Sequence, residues 1–372
     1  MERYDAIIVG GGPAGSSCAW YLTRLGYDVL VLDKKMFPRD KVCAGWITPS
    51  VVDDLELPVD EYRRSFTLQP FTAFRTGIIG QEMMTTRYDC TVSYGIRRCE
   101  FDHYLLQRSG ARLQPGVAAK QFVRRGGMWL VNDTWETPLL IGAGGHFCPV
   151  ARLMGADVGK QELAVRAQEM EIKLTPAQLA DTPVCAEVPE LYFCPDLAGY
   201  GWVVRKGEYL NIGLGRESDV ALSRHVSEFI DYLHFEGRIP RDIHARMSGH
   251  AYLLYQHAKR EIIGDGVLLI GDAAGLAYTQ SGEGIRPAVE SGLMAARLIA
   301  LLRGDYSVDA LRAYEYALQK RFGQRSHKGI DSWVPMSLKR MIGEKLLHTA
   351  WFTRHVVLDR WFFHHEKPAL NY

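Results

Sequence analysis

Gly10, Gly12 and Gly15 stand at G-x-G-x-x-G spacing, and a carboxylate, Asp33, follows about 20 residues on. Residues of these types at this spacing suit one task, the holding of a dinucleotide. The first glycine makes a tight turn, the second lets the backbone approach a pyrophosphate, and the third lets a helix pack on a strand. Pro13 and Ala14 carry the turn into that helix, whose free N–H groups and dipole favour phosphate. Asp33 accepts hydrogen bonds from ribose hydroxyls and repels a 2′-phosphate, which disfavours NADP and leaves NAD and FAD. Lys34 beside it is grouped with the cofactor-binding residues.

A second glycine set decides between the two. Gly271-Asp272-Ala273-Ala274 follows the apolar run Val267 to Ile270, and Gly282-Glu283-Gly284-Ile285 opens a long helical pattern with Ala288, Gly292, Ala295, Ala296 and Ile299 on one face. A protein that binds only NAD has no need of this unit. FAD has, because its flavin and ribityl half must be held as well as its adenosine. Asp272 is placed to bond a ribityl hydroxyl or to reach the pyrophosphate through water. The amides from Gly282 to Ile285 are placed to face the flavin N1 and C2 carbonyl and to stabilise the anionic reduced ring.

The elements that must position these residues are legible. An apolar strand, Ala6 to Val9, leads into a helical pattern from Ala14 to Leu25, and a second strand, Val29 to Leu32, ends on Asp33. The stretches 61 to 94 and 160 to 255 lack dinucleotide signals and carry strand-like runs: "LYFC", "GYGWVVR" and "YLNIGLG". The last two flank a hairpin turn at Lys206-Gly207-Glu208. This predicts an antiparallel sheet over the flavin, with Tyr192, Tyr200 and Trp202 among its aromatics, several of them ordinary core residues.

Composition narrows the class. At 372 residues, 47% hydrophobic and 23% charged, the chain can bury the core of a two-domain enzyme, and a net charge of +1 gives no reason to expect nucleic acid. Its seven cysteines include no C-x-x-C pair and no His/Cys cluster at ligand spacing, so a reducing compartment and no metal are expected. Only "MERYD" precedes the first strand, which leaves no room for a signal peptide, and no apolar run is long enough to span a membrane; a cytoplasmic protein is expected.

The two glycine sets, joined by "IRRCEFDHYLL" (Ile96 to Leu106), resemble the geranylgeranyl reductase family of FAD-dependent oxidoreductases, relatives of the p-hydroxybenzoate hydroxylase-type flavoproteins. "KVCAGW" (Lys41 to Trp46) resembles that family's Lys-x-Cys-Gly-Gly segment near the flavin. "GYGWVVRKGEYLNIGLG" (Gly199 to Gly215) resembles its Tyr-x-Trp-x-Phe-Pro-Lys-Gly signature with the following Asn-Val-Gly-x-Gly, and "SGEGI" its Thr-Gly-Glu-Gly-Ile. The resemblance runs from residue 1 to about 305 with its motifs in order. It implies an α/β fold: a Rossmann-like FAD-binding domain (1–60, 95–160 and 256–305), an antiparallel-sheet substrate domain (61–94 and 161–255) and a helical C-terminal region (306–372).

The resemblance also assigns roles. Lys41, Cys43 and Ala44 fall near the flavin, and Arg98, with Arg97 as a substitute, contacts FAD near its pyrophosphate. The Cys43 thiol there donates a proton or shapes the pocket, or is simply a small buried hydrophobe. His146 follows a strand end near the FAD edge; it is a second candidate acid or an ordinary loop residue. Tyr200 and Trp202 are grouped with Cys43 and His146 as candidate catalytic residues. Three departures stand out. Gly144 occupies the aspartate position of the hydroxylases' Gly-Ala-Asp-Gly, Val204-Arg205 replaces Phe-Pro and puts an extra charge near the sheet, and "AYTQSGEGI" lacks the usual proline. The first weakens a monooxygenase reading.

From Met336 onward Leu338, Ile342, Leu346 and Ala350 recur at i+4 with Leu347 and Trp351 alongside, amid basic residues and the aromatics Trp361-Phe362-Phe363. Such helices pack on the body as a cap over the active-site tunnel or lie on an anionic membrane surface as a peripheral contact. The expected activity is reduction of carbon–carbon double bonds in an apolar, isoprenoid lipid by hydride transfer from reduced flavin, with electrons from NAD(P)H or a redox protein. The alternatives are a monooxygenase or dehydrogenase on the same fold, and a homologue that binds FAD without turnover.

Overall fold

The structure is a computed structural model and describes residues 1–157, 162, 164–217, 221–243, 246–325 and 336–370, with the backbone alone for 336–340. The chain forms two compact units: Met1–Asp40, Cys99–Ala164 and Tyr252–His327 make the first, and Lys41–Arg98, Val165–Ala251 and Lys328–Tyr372 the second.

In the first unit a six-stranded sheet runs in the order Ile263–Gly264, Val267–Leu269, Leu140–Gly142, Ala6–Val9, Val29–Asp33, Arg112–Pro115. Its neighbours are parallel except the outer pair Ile263–Gly264 and Val267–Leu269. A parallel sheet covered on both faces needs apolar residues at every position, which is why "AIIV" and "VLVL" show no alternation and are buried throughout. The strands end side by side at Gly10, Asp33, Ala143 and Ile270, the edge at which open α/β sheets bind ligands.

Two helices, Pro13–Arg24 and Ile285–Leu302, start from that edge and pack against each other. Their approach depends on Gly292, where a Cβ would strike the Ala14 carbonyl oxygen and come within 3.2 Å of the Cys18 nitrogen. The small residues at helical spacing in the sequence are thus the contact face. A separate four-stranded sheet (Glu2–Arg3, Trp135–Thr137, Met128–Val131, Phe122–Arg125) completes the unit.

The second unit is built on a seven-stranded sheet in the order Ser248–Leu253, Ala164–Lys173, Tyr209–Arg216, Gly199–Lys206, Glu190–Phe193, Ala73–Ile78, Met84–Arg87. The antiparallel sheet expected from sequence is present from Ala164–Lys173 to Met84–Arg87, where the pairing of Glu190–Phe193 on Ala73–Ile78 is parallel. One face, with Val203, Leu210, Ile212 and Leu214, packs under the helix Leu222–Phe235 through Val226, Phe229 and Leu233. Tyr192 belongs to this covered face, its ring 5.3 Å from Phe229, and not with Tyr200 and Trp202; opposite Gly201 it points to the other side of the pleat. Lys206 pairs with Tyr209, so it ends a strand and only Gly207-Glu208 form the turn. Arg205, on the covered side, donates to the carbonyls of Gly207 and Val184.

The C-terminal segment comprises the helices Met336–Leu347 and Ala350–Phe352 and a π-helical stretch Thr353–Phe362. Val357, Leu358, Phe362 and Phe363 are buried, with Phe362 5.5 Å from Tyr200 and 6.0 Å from Trp46. The i+4 stripe behaves differently: Ile342, Leu346 and Ala350 are exposed, as are Met341 and Trp351, the last at 67%. The side chain of Leu338 lies outside the described residues. No described helix is long and apolar enough to cross a membrane.

Replacing Gly292 by Leu forces the two helices apart, and overpacking of this kind costs about 1–3 kcal/mol. The expected outcome is a lower unfolding midpoint in urea together with loss of bound flavin; an unchanged midpoint would show that the contact tolerates side-chain volume.

Candidate functional site

The first unit offers a cradle for an anion. Gly10 has φ of +119° and a Cβ there would strike the Ala143 carbonyl, so only glycine turns the chain at this strand end. Gly12 caps the helix with no side-chain bond, and Pro13 follows at the first turn, so the helix N-terminus is left open for an external acceptor. Asp33 takes the Gly11 N–H at 2.8 Å on one oxygen and the Lys35 N–H at 2.8 Å on the other, which fixes its carboxylate at the rim of the loop; Lys34 is exposed.

A cation stands beside the cradle that the sequence did not single out. Around Gly12 the nearest atom to a built Cβ is Arg39 Nη2, at 3.5 Å. Arg39 is held by fully buried Asp102, Nη1 to Oδ2 3.1 Å, with its guanidinium 4.6 Å from the Phe37 ring centre. Arg98 begins the helix Arg98–Arg108 and is buried in the second unit. Arg97 does not stand in for it: its Nε bonds Glu171 at 3.0 Å and its guanidinium lies 3.6 Å from the Tyr209 ring centre.

The second glycine set adds another open helix end. Gly284 caps the 18-residue helix Ile285–Leu302 without a side-chain bond, and Asp272 Oδ1 lies 3.2 Å from a Cβ built on it. Gly271 donates to Ser291 Oγ at 2.9 Å, and the Glu283 carbonyl accepts from the Tyr278 N–H at 2.9 Å, which ties both turns to the helix. Below them Glu290, fully buried, accepts from Arg286 at 2.7 Å and Arg321 at 2.6 Å. Two glycine turns with open helix N-termini, a rim carboxylate and an adjacent guanidinium fit the two halves of FAD.

Gly144 and His146 follow the strand Leu140–Gly142. A Cβ at Gly144 would lie 3.2 Å from Cys148 and 3.3 Å from Pro149, so the hydroxylases' aspartate would not be accommodated without movement. His146 is buried at 2% exposure, its carbonyl and Nδ1 2.8 Å and 3.2 Å from Arg260 Nη2, and Arg260 also binds Glu162. That geometry is a buried anchor around Arg260, and it points away from the acid role expected of His146.

In the second unit the face of the large sheet opposite the helix Leu222–Phe235 is also buried and carries a polar network around Cys43. Asn211 accepts from Trp202 Nε1 at 2.7 Å and donates to Glu169 at 3.0 Å and to the Cys43 carbonyl at 3.2 Å. The Cys43 N–H faces the Glu169 carboxylate and favours its charged form. Lys206, 1% exposed, donates to the Ala44 carbonyl at 3.1 Å, the Ile96 carbonyl at 3.0 Å and Glu171 at 2.6 Å. Lys41 Nζ lies 2.5 Å from His250 Nε2.

Charge differs sharply between the two carboxyls. Burial pushes Glu169 up to about 7, against the opposing pull of Lys206, the Asn211 amide and the Cys43 N–H. Burial acts on Glu171 in the same sense, but Lys206 and Arg97 outweigh it and hold that group below the usual range. Sequence reasoning had placed Cys43, Tyr200 and Trp202 here and had missed Glu169, Glu171, Lys206 and Asn211. Trp202 is 5% exposed with its indole N–H on Asn211, and Tyr200 is half-buried on the same face.

Comparison with known proteins places this geometry. The pattern of the family described as DAO, FAD dependent oxidoreductase, matches residues 5–79. The menaquinone reductase of Mycobacterium tuberculosis is 30% identical over 348 residues, covering 87% of this chain and 81% of that protein. The chain belongs to the geranylgeranyl reductase family of FAD-dependent oxidoreductases. The digeranylgeranylglycerophospholipid reductase of Methanocaldococcus jannaschii is 27% identical over 336 residues, 84% of this chain and 82% of that one. The crystal structure of a geranylgeranyl bacteriochlorophyll reductase-like protein from Thermoplasma acidophilum superposes with a TM-score of 0.74 at 22% identity, over 93% of this chain and 88% of that one, a likeness of fold. FAD is accordingly the cofactor that the glycine cradle serves, and the protein is an oxidoreductase.

A guanidinium that meets a phosphate makes a charge-assisted bond worth about 1.5–3 kcal/mol, and Arg39 is the candidate beside this cradle. Arg39→Ala is therefore expected to weaken FAD binding by about tenfold or more, measured by flavin fluorescence during reconstitution of the apoprotein; unchanged affinity would remove Arg39 from the site.

Proposed function

We propose that the protein saturates carbon–carbon double bonds of an isoprenoid lipid of the geranylgeranyl type. What carries this reading is the match along some four-fifths of the length of relatives named for reducing digeranylgeranylglycerophospholipid and menaquinone. The crowding at Gly144, where hydroxylases place an aspartate, supports reduction over oxygen insertion.

Saturating one double bond consumes a hydride equivalent and a proton. Reduced FAD, when bound, supplies the hydride equivalent. The residues of the chain do the rest. The helix ends at Gly12 and Gly284 orient the cofactor and stabilise its negative charge. Cys43, held by its backbone and partly exposed, is assigned the proton or the shaping of the pocket. Tyr200, half-buried and backed by the buried rings of Phe362 and Trp46, gives the second unit an aromatic face suited to hydrocarbon. An unactivated alkene is a poor hydride acceptor, so positioning and exclusion of water carry much of the acceleration. NAD(P)H or a redox protein is assigned the role of electron donor.

The exposed stripe of Met341, Ile342, Leu346 and Trp351, flanked by Lys345 and Arg354, supports peripheral contact with an anionic membrane, where such a lipid resides. Met341 and Ile342 at 48% and 46% exposure have no reason to be apolar if this helix merely capped the body.

Reduced, FAD-loaded protein mixed anaerobically with a geranylgeranyl phospholipid should regain the oxidised flavin spectrum, and Cys43→Ala should slow this by on the order of a hundredfold if the thiol is the general acid. Reoxidation only on admitting oxygen would turn the assignment toward a monooxygenase. For the surface, Ile342→Glu with Trp351→Glu should abolish co-sedimentation with phosphatidylglycerol vesicles while leaving flavin content intact; retained sedimentation would remove the stripe from membrane contact.

A further inference from the structure

The Cys43 peptide is held by side chains from the sheet. Its carbonyl accepts from Asn211 Nδ2 at 3.2 Å, and its N–H faces the Glu169 carboxylate and favours the charged form of that group. Those two side chains are themselves joined at 3.0 Å. The orientation of the Asn211 amide is not free. An indole N–H can only donate, so Trp202 at 2.7 Å requires Asn211 to present its oxygen there and its NH2 to Cys43 and Glu169. One residue further, the Ala44 carbonyl is taken by Lys206, and the Gly45 N–H meets Cys43 Sγ at 3.4 Å. Three neighbouring strands each contribute one side chain to a loop of three residues, and the one of these side chains with a titratable, uncommitted charge is Glu169.

We propose that Glu169 and Asn211 are positioning residues that clamp the Cys43 peptide and thereby hold its thiol in a single presentation, with Trp202 setting the direction of the clamp. The proposal rests on the assignment of Cys43 to the reacting end of the site. It explains why a carboxyl is kept buried at 6% exposure beside Trp202 and Asn211 rather than in solvent. It also makes the clamp responsive to pH. The groups facing Glu169 are Glu171 on its own strand, Lys206 and, through Glu171, Arg97 on one side, the Cys43 loop in front, and His250 with its partner Lys41 on the strand to the other side. With burial holding the Glu169 carboxyl up to about 7, the group is protonated below that pH and ionised above it. Ionisation strengthens the attraction between the carboxylate, the Cys43 N–H and the Asn211 amide, and adds negative charge beside the thiol, which disfavours the thiolate.

The test reads Cys43 directly, in the FAD-loaded protein, by iodoacetamide labelling and peptide mass spectrometry between pH 5.5 and 8.5, so that exposed Cys90 and Cys185 do not interfere. In Glu169→Gln, which keeps an oxygen for the Cys43 N–H but cannot ionise, labelling of Cys43 should match the unmodified protein below pH 6 and exceed it about threefold above pH 8. In Glu169→Ala labelling should lose this pH dependence and differ at every pH, and lipid-dependent flavin reoxidation should fall by on the order of tenfold or more, with Glu169→Gln restoring most of the rate at pH 6. Identical labelling profiles in all three proteins would overturn the proposal. Should Glu169→Ala fail to retain flavin, the isosteric Glu169→Gln profile decides alone. Because labelling needs no substrate, a failure of the lipid assay with a shifted labelling profile refutes the substrate assignment and leaves the clamp standing.

Discussion

Close backbone approach is the constraint on which the first unit depends. A pyrophosphate can be held by helix N-termini only where nothing projects between amide and phosphate, and two helices can deliver their N-termini to one edge only if they nearly touch. Gly10 turns the chain where any Cβ would meet Ala143, and Gly292 lets the helix Ile285–Leu302 rest on the Ala14 carbonyl. The all-apolar parallel strands beneath serve to keep these positions in register. Charge stands at the same place: Asp33 at the rim on the Gly11 amide, and Arg39, braced by buried Asp102, beside the Gly12 turn.

The second unit solves a different problem, that of holding the Cys43 loop still. Its strands alternate, so Val203, Leu210, Ile212 and Leu214 pack on one side under the helix Leu222–Phe235. The remaining residues are then free to be chemical. Trp202, Lys206, Asn211, Glu169 and Glu171 form a connected set in which each buried polar group found a partner, and an unpaired one would cost about 1–3 kcal/mol. Such a set tolerates little substitution and fixes the Cys43 loop by its backbone, independent of what that loop's side chains are.

Much of this was legible in the sequence because it depends on local pattern. Both glycine turns, the strand ending on Asp33 and the strands around Gly207 follow from spacing and periodicity alone. What was not legible depends on long-range register. Glu169 and Glu171 alternate with Met170 and Ile172, the ordinary look of a strand with one wet face. Only the pairing of Glu171 with Asn211 and of Asn211 with Val204 shows that this face is dry and shared. Arg39 sits in a loop with no motif, and its partner Asp102 is on a helix well downstream. The side of the pleat that Tyr192 takes was hidden for the same reason, since aromatic type says nothing about it.

The central claim is that this flavoprotein delivers its reducing equivalents to an alkene. The most direct measurement is the mass of a geranylgeranyl phospholipid recovered after anaerobic incubation with a known amount of the dithionite-reduced, FAD-loaded protein. The account predicts lipid heavier by two hydrogen atoms for each flavin oxidised. Oxidised flavin with lipid of unchanged mass, or flavin that stays reduced beside intact lipid, would contradict it.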